Sequence, residues 1–203
     1  TGSLPDPPRA LMRLPQETTT MRTDTAIVTM LVASFAACSP TTEEAAPAFG
    51  AGENVSPFAI GSLQAASLRD AAFAPANDNM TLAINVTKAD VDALLTAAGL
   101  ATDVLQLSVQ PLIVRTPDRV LLFDTGNGPS GMLSASMATA GVEPAEVTDI
   151  FISHSHGDHV GGLVDADGAL AFPNADIHIS VNEWAAMQAN AQLASLVTAI
   201  SPR

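Results

Sequence analysis

Apolar positions recur along the chain in two rhythms, and the switches between them mark out the elements. FAIGSLQAASLRD, residues 58–70, alternates loosely and predicts an early strand pair, with folding starting near Phe58. Thr87 is a good N-cap with Asp90 three residues on as its capping-box partner. Val91, Leu94, Leu95 and Ala98 then make an apolar helical stripe that Gly99 can end. LQLSVQPLIVRT and RVLLFDTG flank a turn at Pro117 and Asp118, and both flanks are rich in Val, Leu and Ile, so they predict a hairpin. Residues 130–140 read as a helix stopping at Gly141. TDIFIS and ADIHISV read as short strands, and NEWAAMQANAQLASLV as an amphipathic helix capped by Asn182, with Trp184 and Met187 packing in the core. Strands alternating with helices give an α/β architecture. There is no internal repeat.

The N-terminal third follows other rules. Residues 1–20 carry four prolines and read as disordered, either a fusion scar or sequence upstream of a true start at Met21. Residues 21–38 read as a signal peptide, with one basic residue at Arg22, an apolar run from Thr25 to Ala37, and small residues before Cys38. The run is too short to span a bilayer. FAAC resembles the lipobox of bacterial lipoproteins, which implies lipidation of Cys38 and a periplasmic or outer-membrane-anchored location. Residues 39–57 are rich in Pro, Glu and Gly and read as a flexible tether.

Composition narrows the function classes. Of 203 residues, 47% are apolar and 14% charged, so residues 58–203 should fold around a core. A formal charge of −13 argues against a nucleic-acid partner and disfavours electrostatic adhesion to anionic lipid, both of which need a basic surface. Membrane contact is expected only through a lipid at Cys38. This cysteine is the only one, so no internal disulfide forms.

Three of the four histidines fall in IFISHSHGDHVGG, directly behind a predicted strand. Imidazole nitrogens and carboxylate oxygens are the donors zinc takes. His154 and His156 lie two apart, on one side of an extended segment. Asp158 and His159 follow Gly157, which can turn the chain so that they face a second ion. Gly157, Gly161 and Gly162 leave room for backbone close to metal and substrate. His178, on a predicted strand, reads as a core or edge residue. Ser153 and Ser155 flank the histidines, but no free histidine remains to serve as their base, which argues against a serine hydrolase.

HSHGDHVGG resembles the HxHxDH signature of the metallo-β-lactamase superfamily, and LLFDTG resembles its upstream Asp-Thr-Gly motif. Together with PLIVRTPDRVLLFDTGNG and DGALAFPNADIHISVNEW, the chain looks most like the branch that includes methyl parathion hydrolase and related lactonases. The resemblance implies an αββα sandwich and two divalent metal ions, zinc foremost. His154 and His156 match ligands of the first ion, and Asp158 and His159 ligands of the second. Asp124 matches the aspartate that supports the site from beneath. The implied reaction is attack by a metal-activated hydroxide on a small ester, lactone or organophosphate, with Asp158 orienting it in a catalytic role. The family's three further ligands come later in the chain than any residue here can supply. Asp165, Asp167 and Asp176 come too early. The expectation is therefore a sandwich truncated to its first half, with under-coordinated metals and one exposed apolar sheet face. The rival expectation is a non-catalytic metal-binding surface lipoprotein, or a remnant of such an enzyme. Nothing in the sequence fixes the oligomeric state.

Overall fold

The computed structural model describes residues 48–201. The two N-terminal segments, Cys38 and the first part of the tether lie outside them. Strand β1 (Val55–Ile60) turns at Gly61 into β2 (Leu63–Leu68), its antiparallel partner. β3 (Ala71–Phe73) is followed by a long excursion carrying helix α1 (Lys88–Ala97), which returns as β4 (Leu107–Val109) to pair with β3 in a separate ribbon. β5 (Leu112–Arg115) and β6 (Val120–Phe123) form the expected hairpin. Helix α2 (Leu133–Ala140) crosses to β7 (Asp149–Ile152). The short helix α3 (Gly157–Val160) then leads toward β8 (Asp176–Ile179), and α4 (Val181–Ala189) and α5 (Ala194–Ile200) follow.

The main sheet runs β1-β2-β5-β6-β7-β8. Its first three pairings are antiparallel. β6, β7 and β8 run parallel, because the segments between them are long enough to carry the chain back across the sheet. One sheet face is the core. Ala66, Leu68, Ile113, Leu122, Ile150 and Ile152 are buried there, and the same cluster takes in Leu133, Met137 and Ala140 of α2, Met187 of α4 and Ile200 of α5. Each Leu or Ile removed from water stabilises the fold by roughly 1.5–3 kcal/mol. Phe49 and Val55, within the stretch that composition assigns to the tether, are buried in this core. Two apolar side chains anchor a segment whose overall composition is polar.

Two helices differ from expectation. α1 has its Thr87–Asp90 capping box and ends at Gly99 in the left-handed region, yet none of its residues is buried, and Leu94 is 74% exposed. Local signals suffice to start and stop it, but its apolar stripe is covered only in part, at Val91 and Leu95. The last predicted helix is capped by Ser180 and not Asn182, since Ser180 is the extended residue that closes β8 and accepts from Glu183 N. It also breaks at Asn190, which is extended and whose side chain accepts from Gln192 N, and a second helix follows. No helix among the described residues is long and apolar enough to cross a membrane.

The opposite sheet face is open in part. Phe58 and Ile60 are each nearly half exposed, and Phe123, Phe151 and His178 stack across β6, β7 and β8 with ring centroids 5.2 and 4.5 Å apart. His178 is thus an edge-strand histidine. Its Nε2 lies 2.9 Å from Oδ1 of the buried Asp149, which also accepts from Thr148 Oγ1 at 2.7 Å and takes Arg119 Nη1 at 2.8 Å on both oxygens. The Thr148 hydrogen bond, with those from His178 and Arg119, lowers the Asp149 pKa from 3.8 to about 2 despite burial. The carboxylate in turn raises the Arg119 guanidinium.

A depressed carboxylate stabilises the fold above its unfolded pKa, and the contribution is lost as pH falls through the folded value. Asp149→Asn should therefore cost on the order of 2 kcal/mol at neutral pH. In urea unfolding followed over pH, the gap to the parent chain should hold above pH 3.8 and close as pH falls toward about 2.

Candidate metal centre

Three parallel strands end at the same edge of the sheet, and each contributes to one cluster. β6 ends in Asp124, which adopts φ +61°, a conformation that aspartate tolerates better than most residues. Its amide continues the ladder to Phe151 O at 2.9 Å. Oδ1 accepts from Ser153 N at 2.8 Å. Oδ2 accepts from Ser153 Oγ and lies on His159 Nδ1, both at 2.8 Å. Ser153 Oγ also stands 3.0 Å from His154 Nδ1. Asp124 thus lies between the strand end and the histidine turn and holds both.

The next residue fastens the two loops together. Thr125 is fully buried, and its amide and hydroxyl both donate to the His159 carbonyl, at 2.8 and 2.9 Å. Backbone meets backbone here: a methyl at Gly162 would overlap Thr125 O. The room that Gly161 and Gly162 leave is filled by the Asp-Thr-Gly turn and its successor Asn127, and of these three glycines it is Gly157 that borders open space. Behind the turn sits Asp70, fully buried. It accepts from Asn127 N and Nδ2 at 2.8 Å and from Leu133 N at 2.9 Å, and Gly126 and Gly131 press against its carboxylate.

These contacts gather the imidazoles. The His154 ring lies 3.8 Å from that of His159 and 4.6 Å from that of His156, between centroids. Asp158 Oδ2 is 3.4 Å from His159 Nε2. A carboxylate only accepts, so in the tautomer that donates Nδ1–H to Asp124 alone, the lone pair of Nε2 faces Asp158. Two acceptors facing one another call for a proton or a cation between them, and in this respect the donor chemistry fits a divalent ion. The arrangement is nevertheless not a closed cage: among the described residues no group of three or more His, Cys, Asp or Glu is set to hold a metal. A small cleft of about 120 Å³ opens beside Asp124, Asp158 and His159, walled by Ser108 to Pro111.

Two carboxylates of this region escape the sequence reading. Asp70 follows an alternating strand as an ordinary Arg-Asp end. Glu183 reads as a helix first-turn acid, yet Oε2 accepts from Ser155 N at 2.9 Å and Ser155 Oγ at 2.7 Å. Those hydrogen bonds hold its carboxyl below the usual range, with smaller help from His154 and His156. None of His178, Asp165, Asp167 and Asp176 joins the three imidazoles: His178 bonds Asp149 on β7, and Asp165 accepts from Asp167 N and Ala169 N within its own loop.

The metallo-beta-lactamase superfamily model matches residues 106–184. Residues 106–184 are thus similar to part of a metallo-beta-lactamase superfamily domain, and the mixed sheet and helices match solved structures of that fold. The dizinc quorum-quenching lactonase AidC, solved in complex with a product N-hexnoyl-L-homoserine, superposes with a TM-score of 0.65 at 28% identity, over 73% of this chain and 59% of that one. AbOPH, a hydrolase in the beta lactamase superfamily, superposes at 0.61 with 22% identity, over 75% and 58%. Ribonuclease Z of Methanothermobacter thermautotrophicus is 44% identical over 61 residues, 30% of this chain and 19% of that protein. Metallo-beta-lactamase domain-containing protein 1 of Xenopus laevis is 32% identical over 82 residues, 40% and 33%. The chain spans less than two thirds of each of these proteins.

The backbone contact between the two loops predicts a contrast between neighbouring glycines. Gly162→Ala, driven into Thr125 O, should destabilise by roughly 3 kcal/mol. Gly157→Ala, which meets open space, should change stability by less than about 1 kcal/mol. Urea unfolding of the two variants checks the difference.

Proposed function

We propose that this chain is part of a metal-dependent hydrolase acting on a small ester, lactone or organophosphate. The observation that carries the reading is the convergence of His154, His156 and His159 at the tip of β7, with His159 Nδ1 committed to Asp124 and Nε2 turned to Asp158. His154 and His156 would hold one divalent ion, and Asp158 and His159 a second, with zinc the first choice for imidazole and carboxylate donors. When bound, such ions polarise the substrate oxygen and activate water. The chain's own part is to fix imidazole orientation through Asp124 and Ser153 and to keep Asp158 beside the cleft as the acceptor that orients water.

The likeness to a lactonase at 28% identity supports a lactone or ester over other substrates. Ribonuclease Z bears a nucleic-acid substrate in its name. This chain has 8 Lys and Arg against 21 Asp and Glu, and that excess repels a phosphate backbone. Export with lipid attachment at Cys38 belongs to the same proposal. It predicts a membrane-associated product that shifts to the soluble fraction in Cys38→Ser.

His156→Ala should reduce zinc affinity and turnover by more than the 10–100-fold that losing an outer hydrogen-bond partner costs. Zinc titration with a lactone, ester and organophosphate panel measures both. Unchanged turnover in the variant would refute the reading, and stoichiometric zinc without any turnover would leave a metal-binding protein that is not an enzyme.

A further inference from the structure

Ser155 lies between two of the proposed ligands, so whatever grips it steers both. Its amide and hydroxyl donate to a single oxygen, Oε2 of Glu183, at 2.9 and 2.7 Å. Glu183 belongs to a different element, the first turn of α4, 28 residues on in sequence. Its own amide is already received by Ser180 Oγ, so the carboxylate is not needed to cap its helix. In extended backbone, adjacent side chains point to opposite sides. Holding Ser155 toward α4 therefore turns His154 and His156 the other way, where their rings meet edge to face at 4.6 Å. Beyond them Gly157 borders open space, so no packing at that glycine steadies the turn.

We infer that Glu183 is the positioning residue of the His154–His156 pair: by gripping Ser155 at two points it fixes the rotation of the segment that presents both imidazoles to a divalent ion. The grip stands on geometry alone, and its effect on the ion rests on the hydrolase reading. Loss of the carboxylate frees the segment. Replacement by glutamine keeps an oxygen that accepts from Ser155 and removes the charge.

The test uses the whole chain as Glu183→Ala, Glu183→Gln and Ser155→Ala, with circular dichroism confirming that the helices persist. In the metal-free protein, amide exchange at Ser155 should quicken at least about tenfold in the alanine variant of Glu183 and stay near the parent rate in the glutamine variant. The dissociation constant for Co(II), read from its visible absorption, should rise 10–100-fold in Glu183→Ala with an altered spectrum. Glu183→Gln should recover most of both. Ser155→Ala, which removes one arm of the grip, should give a smaller rise and serves if Glu183→Ala does not fold. Unchanged Ser155 exchange in Glu183→Ala would overturn the inference whatever the metal does. Faster exchange with unaltered Co(II) affinity and spectrum would overturn the positioning role. A parent chain that binds no Co(II) sinks the hydrolase reading instead, and the exchange result then decides the grip by itself.

Discussion

Everything at the candidate centre depends on one carbonyl, that of His159, receiving two hydrogen bonds from Thr125. A buried carbonyl without partners costs about 1–3 kcal/mol, and here both donors come from one residue of the opposing loop. The bond geometry permits no slack. To bring Thr125 that close, the chain must have no side chain at Gly162, and the Asp-Thr-Gly turn must be held from behind by the buried Asp70. Asp124 then arrives under the His159 ring by consequence of its neighbour's attachment.

The parallel half of the sheet explains why so few residues assemble so much. In open α/β sheets, sites form beyond the carboxyl ends of the strands, where loops leave in different directions. β6 delivers Asp124, β7 delivers Ser153 to His159, and the end of β8 starts the helix that carries Glu183. The antiparallel strands β1, β2 and β5 extend the platform and contribute core, and the nearby wall of Ser108 to Pro111 comes from the end of β4 and its link to β5.

Much of this was legible in the sequence. The hairpin before Asp124, the stop at Gly141, the short strand before His154 and the two cap residues of α1 follow from local periodicity and turn chemistry, and the structure has all of them. What local pattern does not encode is pairing at a distance. Asp70 lies 57 residues from Asn127, and Glu183 lies 28 from Ser155, and each looks like an unremarked surface acid until the sheet brings it round. Glycine at 161 and 162 signalled a close approach but not what approaches. The break at Asn190 was hidden because alanine-rich sequence on both sides suits a helix, while one side chain's bond to its own backbone suffices to end it.

The conformation of Asp124 limits what this position can become as the sequence drifts. At φ +61° glycine and asparagine sit comfortably, but glycine offers no acceptor and asparagine replaces one of the two oxygens with a donor. Glutamate keeps the charge, yet it lacks aspartate's ease in left-handed backbone and sets its carboxylate one carbon too far out to receive Ser153 N and His159 together. No other residue type meets both demands, so a genetic change here leaves the fold or the histidine turn short of something it uses.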